Sequence, residues 1–514
     1  MNKFFYLQQP EWKARGKALD PVLNYETVLP IAEVECVADK DAWQGVAIRP
    51  VAEPEAAMAD FFQFRTFRFD FGRHLVGHLE LELEYTRCND APVRIVAKFA
   101  ETPYELAADF DRCTAHLDHS WLQRETLTFD EAPEGTVRFP RRYAFRYLEL
   151  KLGSPNYHTR LKALRAVAET SAGTLLPASG GLTEEEKAID RVAAATLRDC
   201  MQSVFEDGPK RDRRLWLGDL WMQAKVNAFT YRNYQLAEHS LYLVCSAADE
   251  QGEIPSSLLL RKDEVFFANT VPTYSLLLGP MLYDHWQFYQ RTEFCRELLP
   301  VALRQQEIFR AKIDADGVLH PPKSWWLFID HDQQWLKPAT AALGVYCFSL
   351  RETASLMREL GADGAEDLLA EADALGAKLR ARLWDAELGL MRTDGQENDF
   401  SWATQAWLIL GGVPTPEQAV GMWERAWSDP AVRKPRTPYL WSVVMEAGLR
   451  LGRINEVRDF IREYWGGMVK RGADTFWEVY MPDQPFFSSY GDALMNSACH
   501  AWSCIPGYLL RRSE

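Results

Sequence analysis

Residues 67–85 read FRFDFGRHLVGHLELELEY, and this stretch sets the character of the N-terminal part of the chain. From His78 the alternation is strict. Leu79, Leu81, Leu83 and Tyr85 fall on one face, and Glu80, Glu82 and Glu84 on the other. A period of two with one greasy and one charged face is that of an antiparallel strand with one wet side. Phe67, Phe69 and Phe71 alternate with Arg68 and Asp70 in the same way, and Gly72-Arg73-His74 reads as the turn between the two runs. Val93–Phe99, Glu125–Phe129 and Phe145–Leu152 continue the series. Several short strands at such spacing predict a β-sandwich or jelly roll over residues 55–175. Residues 1–54 are expected to be an N-terminal extension packing on the domains after it.

Near residue 182 the period lengthens. Thr183 and Glu186 have capping-box spacing, and Ile189, Val192, Ala193, Leu197, Cys200 and Met201 then share one helical face. Thr415-Pro416-Glu417-Gln418 repeats the start signal with Pro at the first helical position. Helical patterns recur at 351–360, 366–384, 417–427 and 439–451, and Leu360-Gly361 and Leu451-Gly452 have the form of helix stops. Residues 176–514 are thus all-α. Helices paired around an axis satisfy this pattern, and so do two separate helical domains.

Composition narrows the function. The chain has 514 residues, 58 basic against 73 acidic, for a net charge of −15. That balance disfavours a nucleic-acid partner, because phosphate binding is driven by cationic surface. No run approaches the roughly 18 apolar residues of a membrane helix, and the apolar stretch Phe4–Leu7 is too short for a signal-peptide core. The nine cysteines are scattered without a CxxC pair, which argues against a zinc site or disulfide framework and for a reducing, cytoplasmic setting. The histidines form no HxH or HExxH pair, so no metal or cofactor is expected; His116 and His119 are placed in the β region, away from the acids. A homo-oligomer is compatible with all of this.

Of 18 tryptophans, only Trp12, Trp43 and Trp121 precede residue 200, so the excess belongs to the helical part. Some of it accompanies acids in loops. Glu206–Asp219, EDGPKRDRRLWLGD, carries Asp207, Asp212 and Asp219 with Trp216 between the last two. KSWWLFIDHD, residues 323–332, pairs Trp325 and Trp326 with Asp330 and His331. GADTFWEVY, residues 472–480, sets Trp477 beside Glu478, and 496–502 adds His500 and Trp502. Acetal cleavage needs one carboxylic acid for the leaving oxygen and one carboxylate for water or direct attack. Sugar faces stack on indoles and sugar hydroxyls bond to acids and guanidinium groups. Taken singly, such acids are more often solvated caps and such tryptophans core; their combination points to a carbohydrate enzyme.

DGPKRDRRLWLGD resembles the DCPxRE…GWxGD signature of glycoside hydrolase family 78, the inverting α-L-rhamnosidases. WWLFIDHD is similar to that family's W-x-F-x-D-W segment, and GADTFWE to its GATTxWE segment. Upstream, FRFDFGRHLVGHLELELEY and PRRYAFRYLEL resemble two strand motifs of the family's β-sandwich. The resemblance implies an N-terminal β-sandwich followed by an (α/α)6 barrel, without the family's C-terminal β-sandwich. It places Asp212 as general acid and Glu478 as general base. Asp207, Asp219 and Asp330 would then bind sugar hydroxyls, and Arg211 would hold a carboxylate or hydroxyl. Trp216, Trp325, Trp326 and Trp477 would line the pocket, joined by His331, where the family has Trp, and by His500. Gly208 replaces the motif's Cys and Asp212 its Glu.

The activity implied is removal of terminal α-L-rhamnose or a similar sugar, with carboxyls about 6.5–9.5 Å apart if inverting. Another enzyme on a helical toroid (a glucosidase, phosphorylase or lyase) and an inactive sugar-binding relative are the rival readings. The cations around Asp212 oppose the raised pKa that an acid needs, which leaves Glu206 as a further candidate.

Overall fold

The computed structural model describes residues 9–512 except 60–65, 86–91, 131–134, 153–158, 179, 262–263, 268–269, 332–336 and 395–398. Its strands are β1 (Asn24–Val28), β2 (Ala32–Ala38), β3 (Val46–Ala52), β4 (Thr66–Tyr85), β5 (Val93–Ala100), β6 (Arg124–Phe129), β7 (Thr136–Arg138), β8 (Tyr143–Leu152) and β9 (Thr159–Thr170). They hydrogen-bond in the order β1-β9-β4-β8-β5-β6, with β2 and β7 branching at β4 and β3 pairing with β2. The first three strands come from the stretch read as an extension. β1 and β3 have no buried residue, and β2 buries only Glu33 and Val34, so no alternating apolar face announces them.

Gly72-Arg73-His74 is not a turn between strands. β4 runs through it as one strand whose register with β8 shifts between Asp70 and Leu75. Gly72 takes φ +77° there, a left-handed conformation open to glycine. Before the irregularity β4 pairs with β2 and β8; after it, β8 pairs on only through Gly77, and β9 and β7 take over. The bulge therefore carries one strand between two parts of the sheet. Phe67, Phe69, Leu79, Leu81 and Leu83 meet Phe99, Tyr143 and Phe145 in a single apolar core.

The helical part contains, among the described residues, α1 (Glu184–Cys200), α2 (Leu217–Phe229), α3 (Tyr234–Ser246), α4 (Leu278–Tyr289), α5 (Thr292–Arg310), α6 (Ala339–Leu360), α7 (Ala365–Leu383), α8 (Trp402–Leu410), α9 (Pro416–Ser428), α10 (Pro438–Arg450), α11 (Ile454–Lys470) and α12 (Pro506–Arg512). Both predicted capping boxes form, at Thr183/Glu186 and Thr415/Gln418. Gly361 and Gly452 follow their helices with positive φ, as stop signals should.

The even-numbered helices make a closed inner ring. α2 touches α4, α4 touches α6, α6 touches α8 and α8 touches α10; the short helix Ala501–Ser503 ahead of α12 closes the ring between α10 and α2. This closure is what separates an (α/α)6 barrel from two helical domains. Inner helices are buried on nearly every side, as α8 shows, whereas outer helices such as α11 bury one stripe. Trp221 and Trp407 stack inside the ring, and Trp402, Trp423, Trp427 and Trp441 pack between α8, α9 and α10, so most of the tryptophan excess is barrel core.

Connections from an even to the next odd helix are short: 230–233, 290–291, 361–364, 411–415 and 451–453. Those from an odd to the next even helix are mostly long, notably 201–216, 247–277, 311–338 and 471–505. Alternating connections emerge at opposite ends of such a ring, so the long ones share one end. No helix among the described residues is long and apolar enough to cross a membrane.

Candidate active site

The long connections enclose a cavity of about 280 Å³. Asp207, Arg211, Asp212, Trp216, Asp219, Trp326, His331, Glu478 and His500 all line it, drawn from segments up to nearly 300 residues apart in sequence.

Glu478 is 1% exposed. Its carboxylate accepts hydrogen bonds from Arg211 Nη2 (2.5 Å), Tyr490 Oη (2.6 Å) and the Ser497 amide (2.9 Å). Burial by itself would raise its pKa, but the Arg211 guanidinium, with His331 next, outweighs burial and holds it well below the usual carboxylate range. Arg211 is fixed in turn by the Met495 carbonyl at 2.9 Å and by the Tyr490 ring, 4.2 Å beneath its guanidinium. Lys210 Nζ bonds the Leu494 and Asn496 carbonyls, so the 206–216 loop is tied to the 494–497 segment by two consecutive side chains.

Asp212 is partly exposed at the cavity wall, 3.5 Å from Arg211 Nη1 and 3.8 Å from Arg214 Nη1. Asp207 is buried and accepts from the Arg214 amide at 3.1 Å. Burial, and then the charge of Asp212, push its pKa up to about 8. Asp219 is pushed well above the ordinary carboxylate range by burial and by Asp207. His500 lies 3.5 Å from Asp219, and burial lowers it to about 3, so it is a neutral imidazole at working pH. Asp219 Oδ1 and His500 Nδ1 are buried without a hydrogen bond inside the protein and both residues line the cavity, where a ligand or water can reach them. Trp216 and Trp326 stand edge to face at 6.3 Å on the rim.

Gly208 explains one departure from the family motif. A Cβ at that position would sit 2.5 Å from the Arg211 carbonyl oxygen. Glycine is thus what lets this loop double back; the Arg211–Asp212 peptide in it is cis.

Three expected pocket residues stand elsewhere. Trp325 stacks on Phe309 at 5.4 Å in the barrel core. Trp477 stacks on Trp43 at 5.1 Å, facing the N-terminal region rather than the cavity. Asp330 spends both oxygens on the amides of His331 and Arg436 and on the Thr437 hydroxyl. In each motif adjacent residues point to opposite sides, so Trp326 and Glu478 enter the cavity while their neighbours brace it. Glu206 is taken up by a bidentate pair with Arg142, both contacts at 2.7 Å, and does not line this cavity.

Sequence reasoning passed over Tyr490, Tyr274, Phe328 and Arg214, all of which line the cavity. Tyr490 lies in SSYGD, a segment with no acid–tryptophan signature. His116 also needs correction. It belongs to the β region, as expected, but stands at the mouth of this cavity, because its backbone amide donates to the Tyr490 carbonyl at 3.0 Å. Away from the cavity, His74, Asp199 and Cys499 converge with metal-like spacing. The His74 nitrogens are already engaged, by Asp199 at 2.7 Å and Glu101 at 3.1 Å.

A closed helical barrel whose one end gathers buried carboxylates beneath an aromatic rim defines the class: a glycoside hydrolase of the (α/α)6 type. Residues 30–168 match the glycosyl hydrolase family 78 α-rhamnosidase N-terminal domain, and residues 184–297 the bacterial α-L-rhamnosidase six-hairpin glycosidase domain. The solved rhamnosidase from Klebsiella oxytoca with rhamnose bound is 35% identical, with 99% of each chain covered and a TM-score of 0.93. The chain belongs to glycoside hydrolase family 78. The fold is shared with the family 78 rhamnosidase of Bacillus sp. GL1, at 23% identity and TM-score 0.73, covering 87% of this chain and 46% of that one. It is shared too with the Streptomyces avermitilis α-L-rhamnosidase complexed with L-rhamnose, at 16% identity and TM-score 0.67, covering 95% and 44%. No curated protein matches the sequence.

Proposed function

We propose that the protein removes a terminal α-L-rhamnose from a glycoside by inverting hydrolysis, with Glu478 as general base and Asp212 as general acid. The observation that carries this reading is Glu478: a buried, ionised carboxylate held by three donors on the wall of a cavity that also presents Asp207, Asp212 and Asp219. The rhamnose bound to the Klebsiella relative supports the choice of sugar.

In this mechanism the ring sits under Trp216 and Trp326, and one hydroxyl bridges Asp219 Oδ1 and His500 Nδ1. Glu478, aimed by Arg211 and Tyr490, takes a proton from a water molecule as that water attacks the anomeric carbon. The glycosidic oxygen leaves with a proton from Asp212, and the anomeric configuration inverts. A base with a depressed pKa is a weak one, but it is ionised across the whole working range.

A second reading has a specific observation behind it. Asp207 holds its proton up to about pH 8, which suits a donor better than the Arg-flanked Asp212. Aryl α-L-rhamnosides of graded leaving-group pKa separate the two. Loss of the acid costs about 10²–10⁴ in kcat with a poor leaving group and little with a good one. We expect that pattern from Asp212→Asn; finding it in Asp207→Asn instead would transfer the role. Glu478→Gln should lose at least about 10²-fold with every leaving group, and unchanged activity would refute the mechanism. NMR of the first product should show the β anomer. The cysteines among the described residues are unbonded thiols, which supports a reducing, cytoplasmic setting.

A further inference from the structure

His331 lines the catalytic cavity, yet the mechanism gives it no part. It stands where the family segment W-x-F-x-D-W has its last Trp. Its backbone is set by Asp330, whose Oδ1 accepts from the His331 amide at 2.8 Å while the Thr437 hydroxyl and the Arg436 amide hold the same carboxylate. The ring meets Phe328, Tyr490 and Trp502 edge to face, at 5.4, 5.6 and 5.3 Å between centroids. Three aromatic walls leave it little rotational freedom, and 14% of its side chain is exposed.

So aimed, Nε2 lies 3.3 Å from Tyr490 Oη and 3.7 Å from Glu478 Oε1. The direction of the hydrogens follows from the acceptors. An ionised carboxylate can only accept, so the Tyr490 hydrogen lies in its 2.6 Å bond to Glu478 Oε1. Tyr490 Oη then turns lone pairs to His331, and Nε2 must carry the hydrogen between them. We infer that His331 is a positioning residue that controls the base: its Nε2–H keeps the Tyr490 hydrogen turned toward Glu478, and its ring, on taking a second proton at Nδ1, weakens Glu478 as a base. This rests on the assignment of Glu478 as general base. An indole in the same place supplies an N–H but no charge, so the exchange of Trp for His adds a pH dependence.

The sign of that dependence is distinctive. Histidine ordinarily changes charge between about pH 5 and 8. Glu478, held well below the usual carboxylate range, is ionised throughout that span. A cation about 4 Å away weakens a carboxylate as a proton acceptor by about 1–3 pKa units, and general-base rates follow basicity in part. Activity should therefore rise with pH as His331 loses its charge. Ionisation of a general acid does the reverse, because it removes the proton donor. Around the ring, among the described residues, stand Glu478, Tyr490, His500 and Asp330, with Arg211 stacked on Tyr490 and Asp212 on the wall of the same cavity. Burial keeps His500 neutral over this span and the Tyr490 hydroxyl protonated. His116 is farther off, its ring 6.2 Å from that of Tyr490.

The test is kcat/KM across this pH span for an aryl α-L-rhamnoside with a good leaving group, which needs little help from the acid. Wild type should rise about threefold to tenfold from the acidic to the alkaline end. His331→Gln and His331→Trp keep a donor N–H without a titrating charge. Both profiles should be flat, so the ratio of variant to wild type should climb as pH falls. His331→Phe removes the donor as well. At the alkaline end it should lose about threefold to tenfold in kcat against His331→Gln, the worth of one hydrogen bond, with a smaller change in KM. A flat wild-type profile, a rise that survives in both the Gln and Trp variants, or a Phe variant equal to the Gln variant would overturn the inference while the rhamnosidase reading stands. Failure of wild type to cleave the rhamnoside, or full activity in Glu478→Gln, would overturn that reading and the role of His331 with it.

Discussion

Glu478 shows how single contacts set the chemistry. Its three donors come from Arg211, Tyr490 and Ser497, and only Arg211 carries a charge. Removing the Tyr490 hydroxyl takes away a 2.6 Å bond to Oε1 without creating a large void. We expect Tyr490→Phe to lower kcat by about tenfold to a hundredfold, the range for a hydrogen bond to a charged group, with a smaller change in KM because the bond aims the base rather than the sugar. Removing a donor to the charged form also raises the base's pKa, so the acidic limb of the kcat/KM profile should shift to higher pH. A flat, unshifted limb would show that Tyr490 is packing only. Glu478 itself was legible from its motif. Tyr490 was not, since its partner is twelve residues away across an irregular segment and no spacing rule links them.

At the scale of elements, α1 is the one whose sequence most fully specifies its surroundings. Thr183 and Glu186 close its capping box, and the same buried Glu186 carboxylate takes Arg458 and Arg462 from α11. The hydrogen bond from Arg458 is the main reason its pKa falls to about 2. A carboxyl lowered on folding contributes stability that is complete above its unfolded pKa and is lost as pH falls through the folded one. Denaturation midpoints should therefore decline between about pH 4.5 and pH 2. Glu186→Gln should cost roughly 1.5–3 kcal/mol at pH 7 by weakening the hydrogen bonds that the half-buried Arg458 and Arg462 make to a charged group and should flatten that decline, which urea titrations at several pH values will show. The box was readable four residues at a time. The two arginines, some 270 residues on, were not.

At the scale of the molecule, the β region is part of the active end. Lys210 Nζ, next to Arg211, meets Glu105 of the β region at 2.8 Å. Glu101 accepts from the Ala498 amide at 2.6 Å, two residues from His500. His74 sits between Glu101 and Asp199 of α1; burial would lower its pKa, but Cys499 and the two carboxylates hold it well above the usual value. Buried charges of this kind add little net stability, yet breaking one pair is costly. Glu105→Gln removes the nearer of the two carboxylates facing the buried Lys210 ammonium and leaves Glu101 at 3.8 Å. It should lower stability by about 3 kcal/mol and reduce kcat more than KM by loosening the loop that carries Arg211. Calorimetry with steady-state kinetics checks both, and full activity in the variant would mean that the β region does not hold that loop.

By itself the sequence determined the two kinds of secondary structure, the caps and stops of the helices, and the loops in which the acids lie. Period, propensity and capping act over a few residues, so a linear reading reaches them. Only the tertiary structure decided that the inner helices close into one ring, that Trp325, Trp477 and Asp330 turn away from the cavity while Trp326 and Glu478 enter it, and that Tyr490 and His116 belong there. Adjacent side chains in irregular loops have no fixed period to assign their faces. Their directions come from contacts such as Trp477 on Trp43 and Asp330 on Thr437, which form only once the β region and the barrel have packed.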